Sequence, residues 1–340
     1  MPQPPLHHGA RFLGALGRTY ILSSPLAHRT GFAPNVWKAF DERAPENVYV
    51  IKGPREDSQA TRAEFEREVR FQRMFRDAGA RFVREMVDVI PVEQEGGRGG
   101  DGGTGYMVLE PFEKTLWMAR MRRGLTRREI KGVMRRSLMG LREIHERGLV
   151  HCDFKGENVL LDGFDDENPP DDSKKEPIDI TVKVSDLGTL MPPGRGKITS
   201  ITYRSPEAYL GKPWSYSTDI WSWGILFFHL LQASCSFSSP GIYDALIKGG
   251  TRQDKADAVL VAMCDDFDLR SMEFFRDCEF PRSALEGGER KRRRMDWRER
   301  LLAQGVGREN VEFLTGVIQP DPRRRMGVEE ILGTGYLDVD

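Results

Sequence analysis

The stretch HCDFKGENVL, residues 151–160, puts a histidine, two carboxylates, a lysine and an asparagine into ten positions and runs into the apolar Val159-Leu160-Leu161. Transfer of a phosphoryl group asks for a base beside the acceptor hydroxyl, positive charge near the phosphate and oxygen ligands for Mg²⁺. Asp153, Lys155 and Asn158 offer these in that order. An ordinary polar turn has the same composition, so the surrounding elements must decide between the two readings.

Those elements fall into two sets. Up to about Phe112 the chain reads strand-rich: NVWKAF and NVYVIKG carry β-branched and aromatic residues between turn formers, and RFVREMVDVIPV and GYMVLEPF read as two further strands. SQATRAEFEREVRFQRMFRDAG has Phe65, Val69, Phe71, Met74 and Phe75 at roughly helical spacing, with Gly79 to close the helix. EQEGGRGGDGGTG reads as a flexible loop. From Thr126 onward helical patterns dominate. TRREIKGVMRRSLMGLREIHERG has Thr126 as N-cap, Glu129 three residues later and Gly148 at its end. GFDDENPPDDSKKEPID, 163–179, reads as an acidic, mobile surface loop. The basic run ERKRRRMDWRER, 289–300, reads as a solvated face, with a nuclear-import signal or acidic-partner patch as the alternative.

Bulk properties remove several function classes. In 340 residues, 51 Lys and Arg stand against 52 Asp and Glu, which gives no case for a general nucleic-acid binder. Cys152, Cys235, Cys264 and Cys278 form no CxxC pair, which argues against a zinc site or disulfide framework and for a reducing compartment. The longest apolar run, IWSWGILFFHLLQA at 220–233, is too short to span a membrane and reads as a buried helix. The N-terminus has no secretory apolar core. Its arginines and lack of acids before Asp41 allow a mitochondrial presequence, against which the scarcity of serine counts. The expected location is intracellular, cytoplasmic or nuclear.

HCDFKGENVL resembles the catalytic loop of the eukaryotic protein kinases. Further matches follow in the family's order. VYVIK resembles the lysine strand, FEREVRFQRMF the helix of the small lobe, YMVLEPFEKTL the hinge, VSDLGT the metal-binding element, YRSPE the element closing the activation loop, STDIWSWGI the buried large-lobe helix and DPRRRMGVEEIL the closing element. The resemblance covers about Tyr20 to Leu337. It implies an α+β, bilobal protein-kinase-like fold with a small β-rich N-lobe and a larger, mainly helical C-lobe. The expected boundaries are an N-terminal extension at 1–18, the N-lobe at 19–112, the C-lobe at 113–337 and a tail at 338–340.

The resemblance also implies roles. Asp153 accepts the hydrogen bond of the acceptor hydroxyl and Lys155 steadies the γ-phosphate. Asn158 and Asp186 hold Mg²⁺. Lys52 holds the phosphates of ATP and pairs with Glu68, with Glu64 as the weaker alternative. Gly31, Val36, Val50, Leu109 and Leu160 line the nucleotide site, and Glu110 to Phe112 present backbone to adenine. His151, Asp219 and Arg325 are structural, with Asp219 holding the catalytic-loop backbone and Arg325 pairing with Glu207. Ser200 stands where a threonine braces the catalytic acid and lysine.

Several positions depart from the pattern. With Val36 as the valine of the glycine-rich loop, its three glycine positions hold Arg29, Gly31 and Pro34. Proline removes a backbone donor there. Cys152 replaces the arginine that pairs with an activation-loop phosphate in many regulated kinases, and that loop is short, so regulation is expected elsewhere. Gln72 stands where an apolar residue usually packs beneath the small-lobe helix, and Val50, where alanine is commoner, narrows the adenine pocket.

The implied activity is ATP- and Mg²⁺-dependent phosphorylation of serine or threonine hydroxyls on a protein substrate. Lys155 favours the serine/threonine class, and TYRSPE and SDLGT resemble the branch of cyclin-dependent, mitogen-activated and SR-protein kinases. Two other readings stand beside it: a pseudokinase or binding module that keeps the fold without turnover, and a small-molecule phosphotransferase. No nucleic-acid or membrane partner is expected, and no feature of the sequence specifies an oligomeric state.

Overall fold

The computed structural model describes residues 6–26, 34–55, 58–92, 104–173, 178–247, 249–281 and 296–339. The chain divides into two units. The smaller runs to Phe112 and takes in Ser185–Thr189, and the larger holds Glu113–Val184 and everything from Leu190 onward.

In the smaller unit six strands form one antiparallel sheet: β1 (Arg11–Leu13), β2 (Thr19–Pro25), β3 (Val36–Asp41), β4 (Val48–Lys52), β5 (Met86–Pro91) and β6 (Thr104–Leu109), in the order β1-β2-β3-β4-β6-β5. Side chains alternate between the two faces of a strand. Ile51 and Val108 therefore join Phe12, Tyr20, Leu22 and Trp37 in one buried cluster. Their neighbours Val50, Met107 and Leu109 join Met86 on the other face, where Phe65 and Val69 of helix α1 (Gln59–Asp77) cover them. Ser58 caps α1 by accepting the Thr61 N–H, and Gly79, at φ +66°, turns the chain out of its end.

Two expected boundaries need correction here. Ala10 and Phe12 are buried and β1 pairs with β2, so the sheet begins before residue 19 and 1–18 is not wholly an extension. Ser185–Thr189 packs with the smaller unit although the segments on both sides of it belong to the larger.

The larger unit has a small sheet of β7 (Lys114–Thr115), β8 (Val159–Asp162) and β9 (Thr181–Val184), with β8 central. Its helices are α2 (Leu116–Arg122), α3 (Arg127–His145), α4 (Pro206–Tyr209), α5 (Ser217–Cys235), α6 (Arg252–Phe267), α7 (Trp297–Ala303), α8 (Arg308–Val317) and α9 (Val328–Gly333). The Thr126 hydroxyl accepts the Glu129 N–H and the Glu129 carboxylate accepts the Thr126 N–H, a reciprocal cap on α3. Helix α5 is apolar around nearly its whole circumference and is buried accordingly, with Trp221, Trp223 and Phe227 fully enclosed. The Trp223 indole N–H reaches the Met134 carbonyl of α3 at 3.1 Å, so the two central helices are joined by a hydrogen bond as well as by packing. Among the described residues no helix is long and apolar enough to cross a membrane.

The expectation of a mobile loop over 163–179 also needs correction for its described part. Phe164 is buried, Lys114 pairs with Asp166 at 2.8 Å, and Asp172 accepts the backbone N–H groups of Arg127 and Arg128. The acidic segment thus satisfies the free donors at the start of α3 and places negative charge at its positive end. Of the basic run 289–300, residues 289–295 lie outside the described residues. Within the rest, Arg300 pairs with the buried Asp266 at 2.8 Å.

Candidate active site

The smaller unit builds one group of polar side chains. Lys52 ends β4, and its Nζ lies 2.7 Å from Glu68 Oε1 and 2.8 Å from Asp186 Oδ1. Glu68, and not Glu64, is the partner on α1. Burial raises the Glu68 carboxyl above the usual carboxylate range, and the Lys52 ammonium opposes that rise. The two carboxylates outweigh the burial of Lys52 and hold its ammonium well above the ordinary lysine range. This cation stays charged at any physiological pH. Asp186 adopts φ +62°, a sparsely populated region that costs on the order of 1 kcal/mol or more for a non-glycine residue. Two residues on, Gly188 runs close against α1. A Cβ there would stand 3.2 Å from Glu68 Oε2, and Arg67 donates to the Gly188 carbonyl at 3.0 Å.

The larger unit builds a second group. Asp153 is partly buried, and three donors converge on its carboxylate. The Ser200 N–H and hydroxyl reach Oδ1 at 3.1 and 2.8 Å, and Lys155 Nζ reaches Oδ2 at 2.6 Å. Lys155 also donates to the Ser200 hydroxyl at 3.3 Å. The Asn158 amide N–H donates to the Asp153 carbonyl at 2.8 Å, which fixes the amide plane. The loop behind them hangs on Asp219, whose carboxylate accepts the backbone N–H groups of His151 and Cys152 at 2.7 and 3.1 Å and lies 2.9 Å from His145 Nε2. Cys152 is buried at φ +64°, and burial pushes its thiol far above the normal range, so it stays protonated. Glu207 and Arg325 form a two-pronged ion pair at 2.8 and 3.0 Å, with both side chains fully buried.

Two features of this unit were not read from the sequence as site elements. Thr199 takes φ +67°, unusual for a β-branched residue. Arg204 donates to the carbonyls of Ile198 and Thr199 at 2.7 and 3.0 Å, clamping the chain just before Ser200. The signal was present in YRSPE, where an arginine sits four residues after a serine that must be held, but a match to a motif does not say what its arginine grips.

The remaining expected residues are placed as follows. Val36 pairs with Lys52 across β3 and β4, and Val50 with Leu109 across β4 and β6; Val50 and Leu109 are buried in the cluster under α1. Leu160 lies in β8, between Thr115 and Lys183, in the larger unit. Gly31 and Arg29 lie outside the described residues.

The Glu110 carbonyl, in the segment that the resemblance sets against adenine, accepts two N–H groups of Arg84, from Nε at 3.0 Å and from Nη2 at 2.7 Å. The Glu110 N–H donates to the Glu85 carbonyl at 3.0 Å, and its carboxylate accepts the Glu85 N–H at 2.6 Å. Burial lowers the Arg84 guanidinium to about 10, with the charges of Glu110 and Glu68 opposing the drop. It is therefore still a cation near neutral pH. The pattern of RFVREMVDVIPV predicts a continuous strand, whereas β5 starts at Met86 and Arg84 lies in the irregular stretch before it.

Comparison with known proteins agrees with this architecture. The protein kinase domain family matches residues 31–337, and the chain belongs to that family. Curated relatives include the DNA damage response protein kinase DUN1 of Saccharomyces cerevisiae, 31% identical over 144 residues that make up 39% of this chain and 28% of the relative. The serine/threonine-protein kinase AFC3 of Arabidopsis thaliana is 32% identical over 28% of this chain and 27% of its own. The probable CTD kinase subunit alpha homolog of Encephalitozoon cuniculi is 25% identical over 70% of this chain and 64% of its own. The chain spans less than a third of the length of the first curated relatives it matches. Among solved structures, the yeast RNA Pol II CTD kinase CTDK-1 complex contains a chain with the same fold, at a TM-score of 0.63 and 16% identity over 92% of this chain and 90% of that one.

Members of this family use ATP and a divalent metal in general, and the donor chemistry of the two groups fits. Asp186 supplies a carboxylate and Asn158 an amide oxygen, both hard ligands of the kind Mg²⁺ takes alongside phosphate oxygens and water. Among the described residues no three His, Cys, Asp or Glu side chains cluster so as to hold a metal by themselves.

Proposed function

We propose that this chain transfers the γ-phosphoryl group of a Mg²⁺-bound nucleoside triphosphate to serine or threonine hydroxyls of a protein. The observation that carries the reading is the Asp153 carboxylate, fixed by Ser200 and Lys155 through three hydrogen bonds. Oriented in this way, Asp153 accepts the hydrogen bond of the incoming hydroxyl and takes its proton as the new O–P bond forms and the bond from the γ-phosphorus to the bridging oxygen breaks, releasing the nucleoside diphosphate. Lys155 neutralises charge on the transferring group. Lys52, oriented by Glu68, would bind the nucleotide phosphates, and Asp186 and Asn158 would hold Mg²⁺. Bound there, the ion would neutralise charge on the phosphate oxygens. Such transfer depends on positioning and electrostatics more than on covalent help from the protein.

Relatives named as serine/threonine kinases support the acceptor class, and the CTD kinase and AFC3 matches support the branch resembled by TYRSPE. The test is transfer of labelled γ-phosphate from a Mg²⁺-nucleotide to a generic protein acceptor, followed by acid hydrolysis to phosphoamino acids. Phosphoserine and phosphothreonine are expected. Label transferred to a small alcohol but to no protein would point to a small-molecule phosphotransferase instead.

A further inference from the structure

The larger unit carries a groove of about 670 Å³ whose lining includes none of the residues grouped around Asp153. Pro193, Pro213 and Pro322 line it together with Trp214 and Phe274. Proline has no N–H, so these walls offer few backbone donors. The walls are also held in place. Gly194 and Trp214 exchange backbone hydrogen bonds at 3.1 and 2.9 Å, and the Trp214 indole N–H donates to the Gly196 carbonyl at 3.0 Å. Gly194 is fitted against the indole, since a Cβ there would stand 3.3 Å from the ring. Apolar walls that are already fixed can take an apolar side chain without first being ordered.

The charge on this groove has one sign. Among the described residues, Arg195 and Arg323 are the charged groups of its lining, and no carboxylate lines it. Arg195 is exposed and has no partner among the described residues. Arg323 lies 4.8 Å from the centre of the Phe274 ring, and the Lys212 ammonium lies 5.7 Å from the same ring. Of the neighbouring carboxylates, Asp321 binds Arg323 at 2.7 Å and Glu273 pairs with Arg276 at 3.7 Å. Cations beside an apolar groove complement a segment that carries acids beside apolar residues. In an extended, polyproline-like form such a segment leaves its backbone to water and needs no donors from the walls. We propose that the groove binds an extended, acidic segment of a partner protein, with aliphatic residues against Phe274 and the prolines and carboxylates on Arg195 and Arg323. This binding does not depend on phosphoryl transfer.

Calorimetric titration of the full chain with the end-blocked peptide Asp-Asp-Leu-Pro-Leu-Asp-Asp tests this. One control peptide has lysine in place of every aspartate, and a second has serine in place of both leucines. Wild type should bind the acidic peptide, less tightly as salt rises, and both controls at least about tenfold more weakly. Arg195→Glu alters an exposed side chain that has no partner to lose, so its melting curve should match wild type while the acidic peptide binds about tenfold more weakly. Equal binding of the lysine peptide, an affinity unchanged in Arg195→Glu, or no binding of the acidic peptide by wild type at about 1 mM would overturn the inference. So would self-association of the chain that Arg195→Glu abolishes, which would assign the groove to a second copy.

Discussion

Lys52 lies 2.7 Å from Glu68, joining the end of β4 to the middle of α1 through one buried ion pair that also reaches Asp186. The relationship sets a cation between two acids, so each member depends on the others for charge compensation. Removing one partner of a buried pair typically costs about 3–5 kcal/mol because the other charge is left uncompensated.

Lys52→Met should therefore lower the melting temperature, with a deficit that depends on pH. Burial already raises the Glu68 carboxyl, and loss of the ammonium that opposes the rise should lift it further. A carboxyl with a raised folded-state pKa favours the folded state at low pH, and that advantage disappears as pH climbs through the folded value. Melting curves at acidic and at mildly alkaline pH should show the gap to wild type widening with pH. A gap that narrows as pH rises would contradict the pairing.

Gln72 is 1% exposed, and its side-chain oxygen has no hydrogen-bond partner among the described residues. It lies one helical turn beyond Glu68, on the side of α1 that carries the buried Val69 and Phe75. Burying an unsatisfied amide costs on the order of 1–3 kcal/mol. Gln72→Leu should raise the melting temperature by a few degrees, and a drop would show that the amide has a partner after all.

Glu207 and Arg325 make the opposite case, since every charged atom of the pair is matched. Arg325 also donates to the carbonyls of Gln319, Ser217 and Pro320. Glu207→Ala should destabilise by about 3–5 kcal/mol, and the combined Glu207→Leu, Arg325→Met by much less. Denaturant titration of the single and double variants reads the difference. Equal losses in both would mean that packing, and not charge, holds the position.

Asp244 starts a short 3₁₀ turn in the larger unit, near the buried His229. Burial raises its carboxyl to about 6 against a donation from Thr202, with Glu157 adding to the rise. Burial also lowers His229 to about 4, so the imidazole is neutral at pH 7 and offers no ion pair. The raised carboxyl contributes stability below pH 4 that is lost as pH rises through 6. Asp244→Asn should therefore melt above wild type at pH 7, with the difference vanishing towards pH 4. A difference that grows on acidification would contradict this.

Much of the architecture could be read in the chain because local signals and tertiary packing agree. Ser58 and Thr126 cap helices that begin where apolar periodicity begins, and VYVIK and YMVL alternate between two buried clusters. Lys52, Glu68, Asp153 and Asp186 could be singled out because each sits at a fixed offset within a motif. What escaped depends on contacts distant in sequence or on backbone geometry. Arg84 grips a carbonyl 26 residues away. β1 is only three residues long and becomes a strand through its pairing with β2. The acidic segment after residue 163 has a disordered composition, yet Asp172 is held by the backbone of α3. Composition reports the absence of a core, not the presence of a partner.

The most direct test of phosphoryl transfer is the rate of γ-phosphate transfer to protein by Asp153→Asn at saturating Mg²⁺-nucleotide. The variant should bind nucleotide as wild type does while transfer falls by at least about 10²-fold, the contribution of a positioned base. Transfer at the wild-type rate would contradict the account.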